Sequence, residues 1–118
     1  MTKIIEVRNW NRREHFEFFL DFDQPFFNIC VNCVIDNFLS TLKSKKIPFF
    51  LSTLYCVTKT VNLIPELNQR IIDKTKVIQY SLTHPAFTLM TETDNLFTYC
   101  LTDYIEDFQK FITETSKV

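Results

Sequence analysis

The sequence predicts a two-layer α+β domain, on three observations. Segments with helical spacing fill most of the first half of the chain. Short runs with β-strand character gather in the second half. No repeat, linker, low-complexity tract or composition shift divides the 118 residues, so one domain covers 1–118.

Lys3 to Val7 is a short run rich in β-branched residues and reads as a strand. Trp10 to Leu20 mixes charges and aromatics, with Phe16/Leu20 and His15/Phe19 four residues apart, the spacing of neighbours on a helix. From Phe27 to Ile35 the period changes to two: Phe27, Ile29, Val31, Cys33 and Ile35 fall on one face, with Asn28, Cys30, Asn32 and Val34 on the other. That alternation predicts a strand with one apolar face. Asp36 is positioned to cap a helix lined by Ile35, Phe38, Leu39 and Leu42, with Lys43, Lys45 and Lys46 toward water.

Pro48 reads as a first-turn proline, which loses no hydrogen bond the helix would have made. Behind it Phe50, Leu51, Leu54, Val57, Thr58 and Val61 recur at three and four, predicting a largely buried helix that ends at Asn62 and Pro65. Val77–Tyr80, Ala86–Thr91 and Leu96–Leu101 read as short strands separated by the turn-forming clusters 83–85 and 93–95, a hairpin or meander. Asp103 and Glu106 stand at capping-box spacing before a stripe of Tyr104, Ile105, Phe108, Phe111 and Ile112, which predicts a closing helix.

Composition excludes several functions. Thirteen Lys+Arg against fourteen Asp+Glu give a formal net charge of −1, with no positive surplus for nucleic acid or an anionic membrane. The chain has no glycine, where ordinary usage would give about eight. Phosphate cradles of the Walker and dinucleotide types are thereby excluded, because they need a backbone without Cβ. No apolar run reaches the roughly eighteen residues of a membrane span, and the charged start lacks the apolar core of a signal peptide. The expectation is a cytoplasmic protein with its four cysteines reduced.

Little in the sequence points to catalysis. His15 reads as a structural helix imidazole and His84 as a solvated turn residue. Cys30 and Cys33 have zinc-like spacing, but on a strand they would face opposite ways, and no second pair completes four ligands; no metal is expected. The carboxylate pairs Glu14/Glu17 and Asp21/Asp23 read as solvated faces. Phe16, Phe18, Phe19, Phe22, Phe26 and Phe27 place six rings within twelve residues, more than one helix-to-strand corner normally buries. Either a core or an aromatic pocket for an apolar ligand accounts for them.

From Trp10 through Arg12-Arg13-Glu14-His15-Phe16 to Phe19 the sequence resembles the chloramphenicol acetyltransferase family, whose N-terminal helix carries a Trp-x-Arg-Arg/Lys-Glu-His/Tyr-Phe signature. Agreement continues at Phe49-Phe50, Val61-Asn62, Pro65-Glu66-Leu67, His84-Pro85-Ala86-Phe87-Thr88, Phe97-Thr98 and Asp107 to Phe111. The resemblance runs from about Val7 to Phe111 and corresponds to the N-terminal half of the family's usual length.

It implies the two-layer fold of the acyl-CoA-dependent acyltransferases, with helices on a mixed, largely antiparallel sheet. It also implies homotrimers with sites at subunit interfaces, and acetyl transfer from acetyl-CoA to a hydroxyl of chloramphenicol. By matching position, Phe18, Phe19, Phe27, Thr88 and Phe97 belong to the acceptor side of such a site. Arg12 matches the arginine that pairs with an Asp of the family's catalytic histidine segment, His-His-x-x-x-Asp-Gly. That segment is missing here, as are the oxyanion serine and most of the coenzyme tunnel. No catalytic or coenzyme-binding residue is therefore assigned, and Arg12 should be solvated or paired elsewhere.

Asn68, Ala86 and Leu51 depart from the family pattern. The expectation is a truncated single domain, inert alone, active only with downstream sequence or a complementing C-terminal half. The runner-up is a non-catalytic binding or assembly module. Half of a shared sheet would also leave an open strand edge and bare Phe side chains, favouring aggregation.

Overall fold

The computed structural model describes residues 2–118. Strand β1 (Lys3–Glu6) runs into a single 3-10 turn at Val7–Asn9, and helix α1 (Arg13–Phe19) follows. Its four-apart pair Arg13–Glu17 closes at 2.8 Å. Helices α2 (Asp36–Ser44) and α3 (Phe49–Leu63) come next, then a 3-10 turn at Pro65–Asn68 and strands β2 (Gln69–Ile71) and β3 (Lys76–Gln79). Strands β4 (Ala86–Met90) and β5 (Phe97–Leu101) precede the last helix, α4 (Phe108–Thr115). The α+β class holds, and every strand pairing among the described residues is antiparallel.

Two sheets form. In the first the order is β1-β3-β2, so β3 lies between a strand from the start of the chain and its own hairpin partner. Val77 stands opposite both Ile5 and Ile71 and is almost fully buried. The second sheet is the β4–β5 hairpin alone, so β3 does not join it in a meander. Strand β2 escapes the sequence reading because three residues, Gln-Arg-Ile, carry no alternation.

The main core lies between α3 and α4. Tyr55, Phe111 and Ile112 are buried there, with Leu51, Leu54, Tyr104, Ile105 and Phe108 packed around them. The Tyr55 hydroxyl, which burial would otherwise penalise, donates to the Glu106 carbonyl. Only part of α3 is covered: Ser52, Tyr55 and Thr58 form its buried stripe, whereas Phe50 and Val57 are exposed. This corrects the expectation of a largely buried helix. Apolar spacing marked a face for which these residues provide no full cover.

Three helix starts also differ from the reading. Ile35, not Asp36, is the capping residue of α2, and Pro48 stands just before α3 rather than inside its first turn. Helix α4 begins five residues beyond Asp103, at Phe108; its cap is Asp107, whose Oδ1 accepts the Lys110 N–H at 2.7 Å. Helix α2 ends at a left-handed residue without glycine: Lys46 has φ 54°. Ile47 N–H donates to the Leu42 carbonyl at 2.9 Å and Lys46 N–H to that of Lys43 at 3.2 Å, which closes a Schellman-type end. Asn95 takes the same backbone in the β4–β5 loop.

The largest departure concerns residues 27–35. Their two-residue alternation is present, but no strand forms, and none of the backbone groups of residues 23–34 bonds to another described backbone group. A strand is defined by its ladder, and no neighbouring strand lies alongside. The chain's radius of gyration is 18.2 Å, against about 13 Å for a compact chain of 100 residues.

Candidate functional site

Trp10 follows the 3-10 turn after β1, and its ring lies 5.9 Å from that of Phe16 on α1. Phe16 and Phe19, three apart, share a helical face with Leu20. The chain then turns back through Phe22 to Pro25, with Phe22 N–H donating to the Phe19 carbonyl at 3.1 Å. These residues, with Gln24, Phe26, Phe27 and Ile71 at the end of β2, line a cleft of about 570 Å³. Its volume is in the range of small-molecule sites, and half of its lining residues are Phe or Trp.

The cleft's ring cluster has defined geometry. Phe18, Phe19 and Phe22 stand 5.0 to 5.4 Å apart between centroids, tilted or edge-on. Of the residues the resemblance singled out, Phe19, Phe27 and Arg12 line the cleft, and of the six rings noted in the sequence Phe16, Phe22 and Phe26 line it as well. Phe18 does not reach its lining but backs it through Phe19 and Phe22.

Thr88 and Phe97 are not part of this lining; they lie on the β4–β5 hairpin. Phe97 stands opposite Met90 and Thr88 opposite Tyr99, so the four share one face of that hairpin. Met90, Phe97 and Tyr99 are exposed there. The other face carries Phe87, which packs on Phe50 at 5.4 Å, and buried Cys100.

Arg12 donates to Glu66 Oε1 at 3.0 Å, tying the start of α1 to the 3-10 turn after α3. Both groups are about half exposed, so the pair orients more than it stabilises. His15 borders the cleft and is exposed. His84 is exposed in the loop before β4, as expected, and it also has a partner. Its Nδ1 accepts the Tyr104 N–H at 3.0 Å, which places the ring proton on Nε2 and leaves the 3.4 Å approach of Asp103 an acceptor-to-acceptor contact.

Groups held away from their ordinary proton affinity lie elsewhere. The Tyr55 hydroxyl raises Lys59, burial raises Tyr104, the Thr75 and Thr91 hydroxyls lower Asp73 and Asp94, and Lys117 lowers Glu114. None of these lines the cleft. All four cysteines are free, with Cys30, Cys33 and Cys56 exposed. Among the described residues no group of three or more His, Cys, Asp or Glu could hold a metal. No described helix is long and apolar enough to cross a membrane.

Two sequence departures have structural partners. Asn68 is buried; its Nδ2 donates to the Val61 carbonyl at 3.1 Å and its Oδ1 accepts from the Thr83 hydroxyl. An arginine there would need a different set of partners. Leu51 packs against the Tyr55–Phe111–Ile112 core. Sequence reasoning did not single out Ile71 or Gln24 as cleft residues, because a strand end and a turn carry no periodic signal.

Residues 1–118 match the family described as chloramphenicol acetyltransferase. The chain is 31% identical over 108 residues to a chloramphenicol acetyltransferase of Escherichia coli, covering 92% of this chain and 49% of that protein. Against chloramphenicol acetyltransferase 2 of Haemophilus influenzae the identity is 26% over 108 residues, covering 92% and 50%. A solved chloramphenicol acetyltransferase superimposes with a TM-score of 0.89 at 29% identity, covering 99% of this chain and 55% of that one. The chain thus spans about half the length of the curated relatives it matches.

Proposed function

The chain belongs to the chloramphenicol acetyltransferase family, and we propose that it supplies the acceptor-binding wall of such an enzyme without the base that removes the acceptor's proton. The observation that carries this reading is the aromatic cleft beside α1. A neutral, partly aromatic molecule such as chloramphenicol gains from ring contacts with Phe19, Phe22 and Phe27 and from removal of apolar surface from water. Phe18 holds the ring cluster in place. Thr88 and Phe97, on one hairpin face, complete the acceptor wall in the assembled enzyme.

The reaction is direct acetyl transfer: the acceptor hydroxyl attacks the thioester carbonyl of acetyl-CoA, the hydroxyl proton passes to a base, and the coenzyme leaves as its thiol. The chain's own residues contribute binding and orientation. His84 is committed at Nδ1 to the Tyr104 N–H, and no described carboxylate or carbonyl accepts a hydrogen bond from His15 to hold its ring in place. The cleft's one arginine, Arg12, is paired with Glu66, so the lining suits a neutral acceptor better than the phosphates of acetyl-CoA. No coenzyme residue is assigned. The base comes from the part of the family's length that this chain does not cover, within a cytoplasmic homotrimer.

Trp10, the one tryptophan of the chain, borders the cleft and reports on it directly. Chloramphenicol should quench its fluorescence saturably, and Phe19→Ala should weaken the binding about tenfold, the equivalent of ~1.4 kcal/mol. Thiol release from acetyl-CoA by the chain alone should stay at background. Absence of saturable quenching, or turnover by the chain alone at the rate of an intact enzyme, overturns the reading.

A further inference from the structure

Of the four free cysteines, Cys100 is buried in β5, and Cys56 is fixed in place by the hydrogen bonds of α3. Cys30 and Cys33 differ from both. Each is exposed, and they lie in the stretch 23–34, where no backbone group bonds to another described backbone group. No hydrogen bond among the described residues therefore fixes the distance between these two thiols.

Two backbone arrangements are open to residues 30–33. Extended, three steps of chain separate the outer Cα atoms by about 10 Å and send the two side chains to opposite faces, which no disulfide spans. As a β-turn centred on Val31 and Asn32, the same residues bring those atoms within about 7 Å, close enough to bridge. The stretch 25–35 contains neither a turn nor a bend, so the open arrangement is the one present. Little opposes the other. A type I turn needs no positive φ at its centre, so the lack of glycine does not forbid it, and Asn32 is a residue type that turns favour. The ring that closes is short, which keeps the entropy of closure small.

We infer that Cys30 and Cys33 are a redox-closable dithiol: a small disulfide such as oxidised glutathione joins them to each other and fixes residues 30–33 as a turn. The thiolate of one cysteine attacks a sulfur of the oxidised reagent, which forms a mixed disulfide and releases one reduced thiol. The second cysteine, as its thiolate, attacks the protein sulfur of that mixed disulfide and releases the other. The pair loses two protons and two electrons, and the reagent takes them up as two thiols. An exposed bridge across so few residues is of the strained, labile kind, so the reduced reagent reopens it. Bridging needs neither acceptor nor coenzyme and stands apart from the acetyl transfer proposed above.

The full chain is equilibrated with reduced and oxidised glutathione in varied ratio, trapped with N-ethylmaleimide, and digested with trypsin for mass spectrometry. Both cysteines fall in one tryptic peptide, residues 14–43. As the oxidised share rises, that peptide should pass from two maleimide labels to none, two hydrogens lighter than its reduced form. Its glutathione adduct should stay at least about tenfold below the bridged form. Exposed Cys56 is the internal comparison and should stop at the glutathione adduct, as should the surviving thiol in Cys30→Ser and in Cys33→Ser.

Two prolines test the turn itself. Val31→Pro presets the first central residue and should raise the ratio of bridged to open chain about threefold. Asn32→Pro drives Val31 out of the turn conformation and should lower that ratio about as much. Neither removes a backbone bond, since the amides of residues 31 and 32 donate to no described backbone group. Glutathione retained on both cysteines of the parent, bridges between two chains or to Cys56, or equal ratios in the two proline variants overturns the inference.

Discussion

Two aromatic clusters of similar ring geometry meet opposite fates in this molecule. Around Tyr55 the rings of Tyr104, Phe108 and Phe111 lie at centroid distances of 5.0 to 6.1 Å, and Phe111 is 0% accessible. Around Phe19 the rings of Phe18 and Phe22 lie at 5.0 to 5.4 Å, yet all three remain about half exposed or more, and nearby Phe27 is 85% accessible. Ring-to-ring contact therefore does not make a core. A second layer does, and α4 provides it for Tyr55, while the described residues provide none for Phe19. The buried cluster holds the chain together, and the open one is available for binding.

That contrast can be broken by measurement. Phe111→Ala removes the fully buried ring of the α3–α4 core and should cost about 3–5 kcal/mol in urea unfolding, enough to unfold a marginal domain. A loss below about 1 kcal/mol would mean the core lies elsewhere. Asn68→Ala leaves the Thr83 hydroxyl without its acceptor and removes one of the two donors to the Val61 carbonyl, which keeps the Ile64 N–H, and should cost about 1–3 kcal/mol in the same assay. An unchanged midpoint would show that water replaces the amide.

A smaller effect is expected from acid. Asp73 and Asp94 are held below the ordinary carboxylate range by the hydroxyls of Thr75 and Thr91. Their folded-state proton affinity is lower than in the unfolded chain, so their contribution is present above the unfolded carboxylate range and fades as pH falls through the depressed values. Protection of the Thr75 and Leu96 amides, which donate to these carboxylates, should fall on acidification when referred to the intrinsic exchange rate at each pH, and Asp73→Asn and Asp94→Asn should remove the dependence. The smallest change should come from Phe27→Ala, within about 0.5 kcal/mol of the parent because the ring touches solvent on most sides. A loss above about 1 kcal/mol would place Phe27 in a core and erase the distinction between the two clusters.

The sequence reading succeeded where local pattern and tertiary partner agree. Strands β1, β3, β4 and β5 and the long helix α3 were legible within a residue or two, because their apolar positions meet a partner in this chain. It failed where the two part company. Phe27 to Ile35 carries a strand's alternation without a strand's neighbour, and Phe50 and Val57 carry helical spacing on a face that is only partly covered, Phe87 packing on Phe50. Asp103 offered a plausible cap, but Asp107 lies closer to the apolar run and its side chain reaches Lys110. Topology was illegible for a different reason: nothing local in Val77–Tyr80 signals that its second neighbour is Lys3–Glu6, more than seventy residues earlier.

For the cleft, the family resemblance named Phe18, Phe19, Phe27, Thr88 and Phe97 for the acceptor side with Arg12 beside it, and Arg12, Phe19 and Phe27 are the ones that line this cleft. No periodicity could have grouped these three, since they come from a helix cap, a helix end and an irregular segment. The same resemblance grouped Thr88 and Phe97 with them, and those two lie on the separate hairpin.

Lys46 and Asn95 hold left-handed backbone in a chain of 118 residues with no glycine at all. Each does so against its own Cβ, so Lys46→Gly would relieve the folded state while loosening the unfolded one. More broadly, a glycine-free polypeptide wanders through fewer shapes when disordered. A stretch such as Asp23 to Ile35 therefore has less conformational freedom to lose on ordering than a glycine-rich linker of equal length.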